Sequence, residues 1–109
     1  MTVAQLAEQF NLKLLAGEQG TNCEFTGCYV GDLLSWVMGR AKSGDIWLTV
    51  MGNINAIAVA SLADIACIVL TENAALDDDA KAKADTLGIP IYITEESSFH
   101  TAMKIGQLL

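Results

Sequence analysis

Apolar residues in the second half of the chain occur in short blocks separated by polar segments, a rhythm typical of strands alternating with helices. Residues 46–50 read Ile-Trp-Leu-Thr-Val and predict one strand, and residues 89–93 predict another, with Pro90 near its start. Residues 65–70 are apolar at every position. Because burial on both faces is typical of a central parallel strand, this block is predicted to lie inside the sheet.

Helices are predicted between these strands. One spans roughly Ile54 to Leu62, and the next begins at residues 77–79, three aspartates that suit the positive end of a helix dipole. Gly88 ends that helix, and Thr94 is predicted to cap the last one. The residues expected to face the core are Ala80, Ala84 and Leu87 in the former, and Phe99, Ala102, Met103, Ile105 and Leu109 in the latter.

The first third of the chain predicts shorter elements. Thr2 and Gln5 form a capping-box pattern at the start of a helix, and residues 12–15 predict a strand after it. Residues 17–27 are loop-like, and residues 28–30 predict a second short strand. The apolar face of the first helix is Val3, Leu6, Ala7 and Phe10.

A further short helix is predicted directly after the strand of residues 28–30. Asp32 is expected to cap it, because aspartate is a preferred N-cap residue. Its apolar side is predicted to be Leu33, Leu34, Val37 and Met38, with Trp36 on the opposite side. Trp36 has two interpretations that the sequence leaves open: the edge of the core, or a contact in a dimer.

Together these elements predict one α/β domain spanning residues 1–109, with a mainly parallel sheet flanked by helices in a three-layer-like arrangement. Strands alternating with helices over short connections indicate βαβ units with right-handed crossovers. The first helix and the two short strands of the first third are expected to be an addition at one edge of the sheet.

Composition narrows the functional classes. The chain has 109 residues and a net charge of −7, from six Lys and Arg against thirteen Asp and Glu. Its cations are scattered, so binding to nucleic acid or to an anionic membrane is not expected. There is no signal-peptide pattern and no apolar run of about 20 residues. We therefore expect a soluble cytoplasmic protein.

Candidate reactive groups are few. Cys23, Cys28 and Cys67 are an odd number of thiols and are expected to be reduced, with no metal site, because a closed zinc site needs four ligands. His100 is the only histidine, and a surface pair with Glu96 is its expected role. No cofactor fingerprint or catalytic constellation is present, so no catalytic residue is predicted.

The carboxyl ends of the predicted strands are the candidate ligand site, because ligands of open parallel sheets bind there. Each candidate residue has a plain alternative as a helix cap or a turn former. The turn at Gly52 and Asn53 is the most suggestive, since it exposes backbone N–H groups at the start of a helix. The candidate ligand-binding residues are Gly31, Asp32, Gly52, Asn53, Asn55, Thr71, Glu72 and Thr94.

The order of these segments resembles the DRTGG domain family, whose fold is similar to the N-terminal domain of HPr kinase/phosphorylase. The resemblance covers roughly residues 10–109. It rests on residues 44–49, 56–60, 66–71 and 87–91, and on Thr94 with residues 98–102. The five-letter signature itself is absent, and Gly52-Asn53-Ile54 stands where relatives often have Gly-Asp-Arg.

The resemblance implies a regulatory accessory domain that dimerises and does not itself catalyse a reaction. Such domains occur fused to nucleotide-sensing CBS domains in pyrophosphatases and to phosphotransacetylases. The resulting hypothesis is a ligand-sensing homodimer that binds a small metabolite or nucleotide and modulates a partner enzyme or kinase. The alternative is a pure interaction subunit of a serine-kinase-like or hydrogenase-associated complex, and an enzyme is the third candidate.

Overall fold

The computed structural model describes all 109 residues and contains five strands and five α-helices. The strands are β1 (Lys13–Ala16), β2 (Gly27–Val30), β3 (Asp45–Thr49), β4 (Cys67–Leu70) and β5 (Ile91–Ile93). The helices are α1 (Val3–Phe10), α2 (Leu34–Arg40), α3 (Ile54–Leu62), α4 (Asp78–Leu87) and α5 (Ser98–Gly106). None of the helices is both long enough and apolar enough to cross a lipid bilayer.

The five strands form one sheet in the order β1-β5-β4-β3-β2. Strands β2 to β5 are parallel, and β1 runs antiparallel to β5. The prediction of a mainly parallel sheet with residues 65–70 inside it is confirmed, because β4 is the middle strand and all its residues are buried.

The two short N-terminal strands do not share one edge of the sheet, and that expectation is wrong. Strand β1 forms one edge and β2 the other. The loop between them crosses beneath the amino ends of the parallel strands, where the Gly17 N–H donates to the Asp85 carboxylate and the Thr26 N–H to the Gly44 carbonyl. Gly17 has φ +73°, and a Cβ there would strike the Ile89 carbonyl, so this crossing requires glycine.

The sheet separates two hydrophobic cores because successive side chains of a strand point to opposite faces. In β3, Trp47 packs on one face with α3 and α4, while Ile46 and Leu48 pack on the other with α1 and α5. The buried Trp47 ring keeps its polar atom satisfied, since Nε1 donates to the Gly31 carbonyl at 2.8 Å. The resulting arrangement has three layers, as predicted.

The start of α2 differs from the prediction. Leu33, not Asp32, stands at the N-cap position, and no side chain caps this helix. The Asp32 carboxylate turns toward β3 instead. The predicted apolar side is also narrower, because only Val37 is fully buried, Leu34 is half-buried, and Leu33 and Met38 are exposed.

The start of α5 also differs, because Ser97 rather than Thr94 caps it. Thr94 still belongs to the hydrogen-bonding pattern of the sheet, because its N–H donates to the Leu70 carbonyl at 2.9 Å. The buried face of α5 is Thr101 and Ile105. The predicted inward positions that are in fact exposed are Phe99 (70% exposed), Met103 and Leu109 in this segment and Leu87 in α4.

A substitution pair tests the turn between β3 and α3. A Cβ added to Gly52 would lie 1.9 Å from the Ala75 carbonyl oxygen, whereas a Cβ added to Gly39 meets nothing within 4 Å. We expect Gly52→Ala to lower the free energy of unfolding by about 2 kcal/mol or more, because backbone must move to admit the methyl group.

Gly39→Ala is the matched control, and it should leave stability unchanged or raise it by up to about 1 kcal/mol, since Gly39 lies in a helix. Urea unfolding followed by circular dichroism measures both variants. Equal stability of the two would contradict the close packing of the turn against residues 75–76.

Candidate functional site

The four parallel strands end at one edge of the sheet, and the predicted ligand-binding segments lie there side by side. Gly31 and Asp32 follow β2, and the residues after β3, β4 and β5 continue the row. Whether these residues contact a ligand remains a prediction, but the structure gives most of them a hydrogen-bonding role within the protein.

Asp32 ties the end of β2 to the end of β3. Its Oδ1 accepts from the Thr49 hydroxyl at 2.7 Å and from the Val50 N–H at 2.9 Å. Thr49 is almost completely buried, so this carboxylate is the acceptor for a hydroxyl that water does not reach. Gly31 is likewise engaged, through its carbonyl and the Trp47 indole.

The turn after β3 is packed and capped. The Gly52 carbonyl accepts from the Asp77 N–H at 2.8 Å, which joins this turn to the start of α4. Asn53 is the N-cap of α3, and its side chain accepts from the Ala56 N–H. Asn55 is exposed. Of the N–H groups at this helix start, that of Ala56 therefore already has a protein acceptor.

The segments after β4 and β5 are joined to each other. Thr71 is fully buried, and its hydroxyl lies 2.6 Å from the Ser98 hydroxyl. Glu72 and Asn73 adopt left-handed backbone conformations, with φ 59° and 55°. Their N–H groups donate to the carbonyls of Glu96 and Thr94, both at 2.9 Å. This backbone pairing holds the two segments rigidly against each other.

A cleft of about 610 Å³ opens beside this pairing, and of the predicted rim residues only Thr94 lines it. We call it the β1–β5 cleft, because it lies where β5 ends and β1 begins. The elements around it are those two strands, the end of α1, the segment after β4, and α5. A volume of this size falls within the range of small-molecule sites.

Three apolar side chains line the cleft together with seven polar or charged residues. Lys13 lies directly opposite Ile93 in the β1–β5 ladder, and Leu15 follows two residues along the same strand. Phe10 contributes an aromatic ring from the end of α1, with the Lys104 ammonium 5.9 Å from the ring centroid. The cleft thus combines a few apolar side chains with two of the six cations of the chain.

Charges in the cleft are arranged unequally. The Lys104 ammonium lies 2.7 Å from both carboxylate oxygens of Glu96. The predicted pair of Glu96 with His100 is therefore wrong. The His100 ring lies beside the Ser97 hydroxyl instead. Lys13 forms no ion pair, since the three ion pairs of the protein involve other cations.

Two asparagines face the cleft with free amides. Asn11 ends α1 in the left-handed conformation, with φ 55°, and Asn73 has the same φ in the segment after β4. Asn53 is the only asparagine whose side chain hydrogen-bonds within the protein. The amides of Asn11 and Asn73 therefore remain available as donors and acceptors on backbone that is fixed on both sides.

Sequence reasoning missed most of this cleft. Asparagine after the last apolar residue of a helix is a signal for a left-handed cap, so the conformation of Asn11 was readable. The meeting of Lys13, Asn73 and Lys104 was not, because it depends on β1 turning back antiparallel to β5. No local pattern specifies which edge strand an N-terminal segment joins.

The thiols do not provide a reactive centre. Burial is the main cause that raises the pKa of Cys28 to about 11, with the Asp45 carboxylate adding to it, and burial raises the pKa of Cys67 further. The pKa of Cys23 is also raised by burial, and its Sγ donates to the Ala66 carbonyl at 3.4 Å. All three thiols therefore stay protonated at neutral pH, where a nucleophile needs the thiolate.

Trp36 is half-exposed on the outer surface of α2. The Arg40 guanidinium lies 3.8 Å from the ring centroid, which is a close cation–π contact. Leu33, at the N-cap position of the same helix, is also exposed. The core-edge interpretation of Trp36 therefore does not hold for this chain alone, and the dimer-contact interpretation remains a prediction.

A substitution pair tests the structural role of Asp32. Asp32→Ala leaves the buried Thr49 hydroxyl without its acceptor and frees the Val50 N–H, so we expect the free energy of unfolding to fall by about 1–3 kcal/mol.

Asn55→Ala, on the same rim but with an exposed side chain, should change stability by less than about 0.5 kcal/mol. Chemical denaturation of both variants is the measurement. An Asp32→Ala protein as stable as the wild type would show that the carboxylate is not needed to join β2 to β3.

Comparison with known proteins identifies the fold and the family. The solved regulatory region of Clostridium perfringens pyrophosphatase, its CBS and DRTGG domains complexed with the activator diadenosine tetraphosphate, superposes with a TM-score of 0.74. The two sequences are 13% identical, and the match covers 99% of this chain and 47% of that one, so this chain spans about half the length of that region. This likeness shows the shared fold.

A search of curated protein sequences finds no significant match to this chain. The sequence profile described as the DRTGG domain matches residues 5–108, which is nearly the whole chain. The chain therefore belongs to the DRTGG domain family.

Proposed function

We propose that this protein is a regulatory, ligand-sensing domain without a catalytic centre of its own, and that its ligand binds in the β1–β5 cleft. The observation that carries the proposal is the cleft itself, a concave site of about 610 Å³ next to the carboxyl ends of the parallel strands. Ligands of open α/β sheets bind at that end.

The side chains that line the cleft are better suited to binding a ligand than to a structural role. Elsewhere on the rim, Asp32, Asn53 and Thr71 direct their side chains to protein partners. In the cleft, Lys13 and Asn73 direct theirs to no protein group. Polar side chains without protein partners are available to bind and orient a ligand.

The position of the cleft suits a regulatory role. Its walls come from both ends of the sequence, since α1 and β1 form one side and α5 contributes Lys104 to the other. A ligand that contacts both walls would stabilise one relative position of these elements over another, which is the condition for signalling. The related pyrophosphatase region, a regulatory module solved with a nucleotide activator, supports the same class of function.

The expected partner is an enzyme or kinase whose activity the domain modulates, and the expected assembly is a homodimer. A pure interaction subunit is the second candidate, and the exposed Trp36 and Leu33 on α2 favour it. A large aromatic side chain with an arginine stacked on it is a composition typical of interface centres.

Ligand binding is tested by nuclear magnetic resonance with the ¹⁵N-labelled protein and a panel of nucleotides, sugar phosphates, amino acids and organic acids. We expect at least one compound to shift the amides of Asn11, Lys13, Asn73 and Thr94. The control region is a second cleft, of about 450 Å³, at the amino ends of the strands near Asp64. Silence across the panel, or shifts only at the second cleft, would contradict the proposed site.

Dimerisation through α2 is tested by light scattering of Trp36→Asp. We expect this charge to shift a dimer toward monomer, because the patch would carry a buried unpaired carboxylate in the dimer. Leu62→Asp is the matched control, since Leu62 is an exposed apolar residue on α3. An assembly that survives Trp36→Asp, or that Leu62→Asp disrupts equally, would place the interface elsewhere.

A further inference from the structure

We infer that the β1–β5 cleft recognises a nucleoside phosphate, with the phosphate at Lys13 and the base between Phe10 and the two free asparagine amides. This inference rests on the proposed function, because it names the ligand class of the same site. The size of the cleft, its unpaired cation, its aromatic and amide groups, and the ion pair of Lys104 with Glu96 support this ligand class.

Size excludes the smallest ligands. An inorganic anion or a single metal ion would fill a small part of about 610 Å³ and would leave the apolar side chains of the cleft in contact with water. A ligand with an extended organic body covers Leu15 and Ile93 as well as reaching the cations, and burying that apolar surface contributes to affinity in proportion to its area.

The anionic part of the ligand belongs at Lys13. This ammonium has no carboxylate partner, and its neighbour across the ladder is Ile93, an apolar residue. The protein as a whole carries a net charge of −7. An unpaired lysine at the edge of a concave site in such an acidic protein provides a local point charge for a phosphate group.

The planar part of the ligand belongs at Phe10. This ring is half-buried at the end of α1, and base stacking on an aromatic side chain contributes about 1–3 kcal/mol. Asn11 and Asn73 present a donor and an acceptor each, and an asparagine amide pairs with the donor and acceptor of a purine edge. Both residues have a left-handed backbone, with φ 55°, and both side chains are exposed and accessible to a ligand.

The two acidic residues of the cleft, Glu95 and Glu96, have different roles in this inference: one contacts the sugar and the other links binding to α5. Glu95 is exposed and unpaired, and carboxylates accept hydrogen bonds from ribose hydroxyls. Glu96 forms an ion pair with Lys104. A phosphate that reaches Lys104 competes with Glu96 for this ammonium, and Lys104 lies on α5, so binding and the position of α5 are linked.

A charge-reversed alternative is a divalent cation held by Glu95 and Glu96, and it predicts the opposite response to substitution. Removing the Glu96 charge would weaken a cation but strengthen a phosphate, because it frees Lys104. A zwitterionic amino acid, with its carboxylate at Lys13 and its ammonium at Glu95, is a further alternative that would not need the Phe10 ring.

The experiment is calorimetric titration of the full chain with AMP, adenosine, ribose 5-phosphate, inorganic phosphate and Mg²⁺ separately. We expect AMP to bind at least tenfold more tightly than adenosine or ribose 5-phosphate. Lys13→Met should weaken AMP about tenfold and leave adenosine unchanged, and Lys13→Gln provides the same test in a second exposed variant. Lys83→Met, which removes an unpaired exposed lysine from α4, should change neither.

Two further variants define the other contacts. Glu96→Gln should strengthen AMP severalfold, and Phe10→Leu, which keeps an apolar side chain, should weaken AMP and adenosine alike. Equal affinity for AMP and ribose 5-phosphate, equal effects of Lys13→Met and Lys83→Met, or weaker AMP binding by Glu96→Gln would each overturn the inference. A different compound class that shifts the cleft amides overturns the inference alone, whereas silence across the whole panel overturns the proposed function with it.

Discussion

Burial of β4 on both faces is the constraint on which the rest of the structure depends. Its four residues, Cys67–Leu70, are all buried, and it pairs with a parallel strand on each side. A strand in this position needs a helical layer on each face. Its backbone hydrogen bonds are made within the sheet, but its apolar side chains are shielded from water only when helices cover both faces. The pair α1 and α5 covers one face, and α2, α3 and α4 cover the other.

The parallel arrangement brings four strand ends to one edge, and the protein uses most of that edge for its own hydrogen bonds. Asp32 joins the first two strand ends, and the backbone of Glu72 and Asn73 joins the last two. These bonds make the rim rigid, and a rigid rim is a suitable base for recognition. The β1–β5 cleft lies instead at the one strand end that has an antiparallel neighbour, where β1 starts and β5 ends.

The helix α5 both lines the β1–β5 cleft and carries exposed apolar side chains. Lys104 faces the cleft from α5, while Phe99 and Met103 on the same helix are exposed to solvent. The helix is held at its start by the contact of Ser98 with Thr71 and by its Ser97 cap. A change in the partner of Lys104 therefore acts on an element that is anchored at one end and presents apolar side chains on its outer surface.

The local pattern of the sequence determined the strands, the helices, the central position of β4 and the alternation of Ile46, Trp47 and Leu48 between two cores. It did so because hydrophobic periodicity and capping residues act over a few neighbouring positions. The tertiary structure alone decided that β1 and β2 take opposite edges, that Asp32 and Thr94 bond to neighbouring strands rather than cap helices, and that Phe99 points outward. Each of these depends on a partner distant in sequence, and the cleft, which joins Lys13 to Lys104, depends on such partners entirely.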